Sequence, residues 1–391
     1  MQSRNVLVGV AGTVVVVALG ACTSDPEPQR VALLAGGGDG RLDQVTGEGL
    51  PGAEVELDGA VTNLTGRGDG TVWGVIGGTG VIAVHSDGST QQWRITDGRN
   101  EPVEIADVAA APDGTVYIIP ASSEVDLLAT NPVFRVNDDG AVEPALGATG
   151  EYGPITDIAV DGDGRLLFIE NVGDADPGAS EFQPHQVRRV EADGIVTTLA
   201  GAEDVSDEGP HSEDYQTWLS LPEGMAAADL PLYRHTGLAA GAGGAVYLAS
   251  GESVARVTAD GTVEHLAGVG ADGESLPTDT VFGDPVAADD LAYAASDPWV
   301  GVNGGGDIVT STALDIDPDD VIPWDVDGGN DATQAVVDGA AETATVMVSA
   351  DGDAVLVSML GTAAAWLDDH TIAVAANDES GRSIVVGIDV P

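Results

Sequence analysis

The amino-acid sequence predicts an all-β fold, a closed ring of six four-stranded antiparallel sheets, with seven sheets as the open alternative. Asp-Gly pairs recur between short β-rich runs, which is the pattern of tight hairpins. These hairpins come in pairs, in units of about 40 to 60 residues. Glycine is abundant, with 54 residues, and aromatic residues make up 4% of the chain. Such a composition favours many tight turns over long helices.

The repeating unit is clearest in residues 103–147, where one hairpin turns at Asp113-Gly114 and the next at Asp139-Gly140. The first hairpin recurs around Asp69-Gly70, Asp163-Gly164, Gly243-Gly244 and Asp351-Gly352, and the second around Asp87-Gly88, Asp193-Gly194 and Asp260-Gly261. Residues 189–201 and 256–268 are nearly one sequence. Because one small sheet cannot bury both of its faces, such units stack around an axis as the blades of a β-propeller.

A Leu-Ala-Gly triplet follows the second hairpin at residues 199–201 and 266–268, and the same triplet stands at 34–36. In this the chain resembles NHL-repeat propellers, whose outer strand ends in Leu-Ala-Gly. The first triplet has no inner strands before it, so residues 30–36 are expected to complete the last blade beside residues 383–389. The propeller domain would then span residues 30–391, and closure would remove free sheet edges.

The resemblance to NHL repeats is good from residue 30 to about residue 268 and weak afterward. Pro298 and Trp299 replace the expected turn of blade five, and residues 366–376 offer one inner hairpin too many. The blade count therefore depends on how the last hundred or so residues are divided.

The N-terminal residues predict export and lipid attachment. Arg4 precedes an apolar stretch over residues 6–21, which is typical of a signal peptide. The stretch ends in Leu-Gly-Ala before Cys22 and resembles a bacterial lipobox, in which the cysteine is lipidated and becomes the first residue. We expect a signal peptide over 1–21, lipidation at Cys22 and a tether over 22–29; an uncleaved anchor or an ordinary signal peptide is the alternative. Cys22 is the one cysteine of the chain, so it cannot form an intramolecular disulfide.

The charge balance excludes some partners. The chain has 65 acidic residues against 13 basic ones and a formal net charge of −52, and every basic residue is arginine. Nucleic acid would be repelled by such a field. We expect a monomeric protein at the extracytoplasmic face of the cell membrane, held there by its lipid.

One aligned position precedes the leading apolar residue of each innermost strand. It is occupied by Asn63, Asp107, Asp157, Gly237, Asp290 and Thr345. In a propeller these residues converge near the axis, and three carboxylates there favour calcium, which takes six to eight oxygen ligands. Asp107, Asp157 and Asp290 are therefore the predicted metal ligands, and Asn63 and His235 join them in a predicted ligand-binding site. The site resembles that of lactonase-type propellers in kind only. The alternative is that these side chains hydrogen-bond neighbouring backbone and channel water.

Catalytic residues are harder to assign. His235 lies before blade four, and lyase-type propellers use a histidine on such a rim as a base; the alternative is a surface histidine. No Gly-x-Ser-x-Gly motif or phosphate-binding loop is present, so no catalytic residue is assigned.

The leading interpretation is a binding, scaffold or ligand-sensing module for a protein, peptide or glycan, as the resemblance to extracytoplasmic NHL sensor domains implies. The alternative is a lactonase-type or lyase-type enzyme that acts from the central funnel, with calcium as its cofactor in the lactonase case.

Overall fold

The computed structural model describes most of the chain from residue 31 onward and two short segments before it. The described residues are 8–10, 13–15, 31–36, 40–41, 50–66, 68–97, 99–121, 133–137, 140–146, 152–173, 183–205, 212–233, 235–250, 252–268, 286–287, 299–312, 344–349, 353–358, 363–377 and 382–390. Within them, six antiparallel sheets form the blades of a β-propeller. The prediction of six blades is confirmed.

Each blade consists of four strands, ordered from the axis outward. Blades one to three contain Val61–Gly66, Thr71–Ile76, Gly80–His85 and Ser89–Arg94; Ile105–Ala110, Val116–Pro120, Phe134–Val136 and Val142–Pro144; and Ile155–Val160, Leu166–Asn171, His185–Val190 and Val196–Ala200. Blades four to six contain Gly237–Ala240, Val246–Ala249, Val254–Val257 and Val263–Ala267; Val300–Val302, Ile308–Thr312, Ala344–Val348 and Asp353–Ser358; and Ala363–Asp368, Thr371–Asn377, Ser383–Asp389 and Val31–Ala35. The first strands of neighbouring blades contact one another around the ring.

A few short elements lie outside this pattern. Leu50–Pro51 extends blade one and Val286–Ala287 extends blade five, while Gly40–Arg41 pairs in parallel with Val55–Glu56 and Val8–Val10 forms a hairpin with Thr13–Val15. Single turns of 3-10 helix span Gly52–Glu54, Ala227–Asp229 and Ala242–Gly244.

The hydrophobic core lies between neighbouring blades, because each small sheet buries both of its faces. Phe168 of blade three packs with Ile119 of blade two, and Leu248 of blade four packs with Ile169 of blade three. The helix Glu213–Ser220, capped by the Ser212 side chain, adds Trp218 and other apolar residues to the core between blades three and four. No helix among the described residues has both the length and the apolar character needed to cross a bilayer.

The N-terminal strand closes the ring. Val31–Ala35 runs antiparallel to Ser383–Asp389, with Val31 opposite Ile388 and Ala35 opposite Val385. Both chain ends therefore contribute to blade six, which leaves no gap between its outer strand and the rest of the sheet.

The Leu-Ala-Gly triplet has a steric explanation. Its glycines have left-handed φ angles of 85° at Gly36, 109° at Gly201 and 97° at Gly268. A Cβ atom at Gly36 or Gly201 would lie 2.5 Å from the carbonyl oxygen of the first residue of the third strand, Ser383 or His185, and one at Gly268 would overlap the carbonyl oxygen of Glu252, just before the third strand of blade four. Only glycine allows both the backbone conformation and this close approach.

Blade five corrects the sequence-based division of the last hundred or so residues. Its inner hairpin turns at residues 303–307, so the predicted inner hairpin around Asp351-Gly352 is the outer hairpin of the blade instead. Gly305 and Gly306 stand where the inner turns of blades one to three have Asp-Gly. Asn303 is equivalent to Asp161 of blade three, and its Oδ1 accepts hydrogen bonds from the amides of Gly305 and Asp307, both at 2.9 Å. Residues 366–376, the apparent surplus hairpin, belong to the inner hairpin of blade six.

The strand directions give the propeller two different ends. The first and third strands of each blade begin at one end, where the chain connects consecutive blades and where second strands lead to third strands; we call this the loop end. The opposite end carries the tight turns within each hairpin, and we call it the turn end. Exposed aspartates occupy the turn end at Asp69, Asp87, Asp113, Asp163, Asp193 and Asp260.

Candidate functional site

The candidate site lies at the axis, near the loop end. Asn63, Asp107 and Asp157 lie near the start of the first strands of blades one, two and three. In each of these strands the pairing with the second strand shifts register next to the site residue. Such a β-bulge changes the direction of a side chain without breaking the sheet. We name these three residues the hub cluster.

Each hub side chain binds the backbone of the next blade around the ring. The distances are 2.5 Å from Asn63 Nδ2 to the Ala106 carbonyl oxygen, 3.0 Å from the Ile158 amide nitrogen to Asp107 Oδ2, and 2.8 Å from the Leu238 amide nitrogen to Asp157 Oδ2. The hub cluster therefore connects blades one to four in series. The backbone hydrogen bonding considered as the alternative for these residues is present, and ligand binding stays a prediction.

The two aspartates of the hub cluster form a carboxyl pair. Their side chains are hydrogen-bonded to each other, and burial away from water raises the pKa of both. The nearby charge of Asp107 adds to this effect and holds the pKa of Asp157 well above its ordinary value. Asp107 also accepts hydrogen bonds from the Val108 amide at 2.8 Å and from Asn63 Nδ2 at 3.4 Å. Because both oxygens of Asp107 serve as acceptors, we assign the shared proton to Asp157.

The remaining predicted hub positions do not continue the carboxylate ring. Blade four has Gly237 there, which has no side chain, although it precedes the amide that binds Asp157. In blade five the turn at residues 303–307 places Trp299 at the equivalent position, where it packs partly buried against the core between blades five and six. Thr345 lies on the third strand of blade five rather than the innermost one, so its assignment to the hub is wrong. Asp290 lies outside the described residues.

A small cavity lies on the axis beyond the hub cluster, toward the turn end. This cavity of about 40 Å³ is lined by the inner strands of blades one to five, largely by glycine, alanine, valine and leucine. This is room for a few water molecules, since one water needs at least about 10 to 15 Å³ by this kind of measure. Across the described residues, no three histidine, cysteine, aspartate or glutamate side chains come together as a metal site would require.

His235 is exposed in the connection that leads into blade four. Nearby, Tyr233 is buried and packs edge-on against Trp218, whose indole nitrogen donates to Thr236 Oγ1 at 2.9 Å. The histidine thus lies on the rim where it was predicted, and a catalytic role for it stays a prediction.

A buried glutamate near the loop end, paired with a partly exposed arginine, was not singled out in the sequence. Glu170 Oε2 lies 3.0 Å from Arg188 Nε, and Glu170 Oε1 accepts a hydrogen bond from the Gly153 amide at 2.7 Å. Glu170 is 4% exposed, and it anchors the segment that leads into blade three. A charged residue inside an apolar strand, as in the run at 166–170, is the sequence signal that could have identified it.

Comparison with known proteins shows similarity of structure alone. No protein-family model matches the chain, and no curated protein matches its sequence. A gluconolactonase from Xanthomonas campestris has a TM-score of 0.47 and 13% identity, over 93% of this chain and 90% of that one. An auxiliary nutrient-binding protein from Bacteroides thetaiotaomicron has a TM-score of 0.48 and 8% identity, over 93% and 77%. The calcium-binding protein regucalcin from Agrobacterium tumefaciens has a TM-score of 0.43 and 12% identity, over 86% and 92%.

Proposed function

We propose that the chain is an extracytoplasmic, lipid-anchored β-propeller that acts as a binding, scaffold or ligand-sensing module. The lipobox-like sequence before Cys22 supports the lipid anchor. The closed ring is a rigid framework that can present surface loops to a partner. The partner would be a protein, a peptide or a glycan. The net charge of −52 argues against nucleic acid.

The hydrogen bonding of the hub cluster is the main observation that favours a binding role over a catalytic one. Its side chains bind the backbone of neighbouring blades, so their polar atoms are already used within the propeller. A partner would therefore bind through the loops around the axis rather than through the hub side chains. The long connections start and finish at the loop end, so we assign binding to that end.

A capture experiment with matched blocking groups tests this assignment. In a Cys22→Ser background the chain has no other thiol, so Ala121→Cys at the loop end and Ala192→Cys at the turn end each introduce a single one. Both alanines are exposed. Each variant is coupled to a polyethylene glycol maleimide and used to capture proteins and glycans from envelope extract of the source bacterium.

We expect capture of a partner by the unmodified protein and by the chain blocked at Ala192→Cys, with loss of capture by the chain blocked at Ala121→Cys. Captures at low and high salt separate specific binding from attraction to the acidic surface. Absence of any partner at either salt concentration, or equal loss with both blocking groups, would contradict the proposed function.

A calcium-dependent enzyme is the second candidate, and the carboxyl pair favours it. A divalent cation could replace the proton that Asp107 and Asp157 share. The residues present do not form a complete calcium site, because both oxygens of Asp107 already accept backbone hydrogen bonds and no third carboxylate lies with them among the described residues. We therefore derive no catalytic step from a metal.

Thermal unfolding tests the second candidate. If calcium binds the carboxyl pair, it raises Tm beyond a sodium chloride control of equal ionic strength, and Asp107→Ala combined with Asp157→Ala abolishes the rise. An equal response of the wild type and the double variant to calcium removes this candidate. Asp157→Asn is a milder variant that keeps the fold if the double variant unfolds.

The anchor is tested separately. Cys22→Ser should release the protein into the medium or leave it as a precursor, and the wild type should carry the mass of a lipid on Cys22. Membrane retention of the variant without a mass change in the wild type would refute lipidation.

A further inference from the structure

The direction of the closing strand determines where the tether joins the propeller. Thr371–Asn377 follows a tight turn at the turn end, so Ser383–Asp389 runs from the loop end back to the turn end. Val31–Ala35 is antiparallel to that strand, and Val31 lies opposite Ile388, near its last residue. The chain therefore begins its first strand at the turn end, and the tether joins the propeller there.

The two ends differ in what they can present. Connections at the turn end are short, such as residues 161–165, 191–195 and 258–262. Connections that start and finish at the loop end are much longer. These include residues 121–133, 172–184, 201–236, 268–299 and 313–343. Long connections on a rigid framework are where recognition residues concentrate. These connections all emerge from the loop end, although residues 224–227 and 286–287 pair with the outer strands of blades four and five near the turn end. The tether therefore joins the propeller at the end opposite to the one from which they emerge.

The reach of the tether limits which end can approach the lipid. The nine residues from Cys22 to the start of Val31 span at most about 30 Å when fully extended. A six-residue strand is about 20 Å long. To place the loop end against the bilayer, the tether would have to run back along most of the height of a blade, which uses about two thirds of its reach.

Charge acts in the same direction. With a net charge of −52, the chain as a whole would be repelled by anionic lipid head groups. The propeller would then stay near the limit of its tether, with the attached end nearest the lipid. We infer that the turn end faces the membrane and that the loop end faces away from it, toward a partner that approaches through the aqueous phase. This inference rests on the lipid anchor of the proposed function.

Energy transfer to the bilayer tests the orientation. Full-length Ala192→Cys and Ala121→Cys, with Cys22 intact and lipidated, each carry one free thiol for a fluorescent donor. The purified lipidated proteins are inserted into vesicles that contain an acceptor attached to the lipid head groups. Because transfer falls steeply with distance, we expect several-fold higher transfer from the label at Ala192→Cys than from the label at Ala121→Cys.

The controls separate failure of the orientation from failure of the anchor. Mass spectrometry before labelling establishes whether Cys22 carries a lipid, and absence of the lipid contradicts the proposed function. Equal transfer from the two labels in the lipidated protein, or higher transfer from Ala121→Cys, overturns the orientation alone. The same labels in a Cys22→Ser background give the transfer expected without attachment, which is subtracted from both.

Discussion

The two aspartates at the hub are expected to respond in opposite ways to the same chemical change. In Asp157→Asn, the amide oxygen can still accept from the Leu238 amide, and the amide NH2 group can donate to Asp107 in place of the shared proton. In Asp107→Asn, one amide oxygen replaces two carboxylate oxygens that accept from the Val108 and Ile158 amides. One buried N–H group is then left without an acceptor, which costs about 1 to 3 kcal/mol.

The pH dependence of the free energy of unfolding determines whether Asp157→Asn is more or less stable than the wild type. The native state holds the proton of Asp157 more tightly than the unfolded state does, because its pKa is raised well above 3.8. The unfolded state therefore binds fewer protons, and the free energy of unfolding of the wild type falls as the pH rises from that ordinary value through the native pKa. For one proton the slope approaches about 1.4 kcal/mol per pH unit. Asp157→Asn lacks this proton, so the corresponding part of the fall disappears.

Urea unfolding at a series of pH values from acid to neutral measures both effects. We expect Asp107→Asn to be less stable than the wild type by about 1 to 3 kcal/mol at neutral pH, and Asp157→Asn to be equal to it in acid and more stable at neutral pH. Equal destabilisation by the two substitutions, or an unchanged pH slope in Asp157→Asn, would refute the assignment of the proton and of the acceptor roles.

Three further predictions concern the framework. Gly201→Ala should destabilise the fold by more than Gly194→Ala, because both glycines have left-handed φ angles but only the Cβ at residue 201 would meet backbone, at 2.5 Å; the comparison is made by urea unfolding, and equal losses would contradict the steric explanation. Arg188→Leu should cost about 3 to 5 kcal/mol, since it leaves a buried carboxylate unpaired, whereas Arg135→Leu, which removes an exposed ion pair, should cost at most about 1 kcal/mol. Deletion of residues 30–36 should produce a chain that aggregates in size-exclusion chromatography, because the third strand of blade six becomes a free edge; a monomeric elution would argue that closure is dispensable.

The blades were predictable where their turns follow one chemical rule. An aspartate before glycine accepts backbone hydrogen bonds within the turn, as Asp113 does from the Thr115 amide at 2.9 Å. The inner turn of blade five lacks this pair, because Gly305 and Gly306 occupy its two positions. Asn303, two residues earlier, accepts the amides of Gly305 and Asp307 instead, so a search for Asp-Gly pairs misses this turn. The long connection at 313–343 also separates the two hairpins of that blade, and this led to a hairpin being assigned to the wrong position.

The position of the hub residues could be predicted from the sequence, but their hydrogen bonds could not. Alignment of the repeats placed Asn63, Asp107 and Asp157 at the axis because each precedes the leading apolar residue of an innermost strand. It could not show that β-bulges at these positions direct the side chains to the next blade, since a bulge depends on the pairing of two strands rather than on one residue. Convergence of carboxylates in a sequence alignment therefore suggests a metal site more readily than the backbone bonding that the structure contains.

The pairing of Val31 with Ile388 also bears on how the protein is made. A contact between residues so far apart in the chain carries a loop-closure entropy of about 5 kcal/mol, which must be offset before the last sheet is complete. The final strand cannot join until the ribosome has released the C-terminal residues, so the N-terminal segment waits unpaired throughout synthesis. Under the proposed export, this delay would keep the ring open until the whole chain has crossed the membrane.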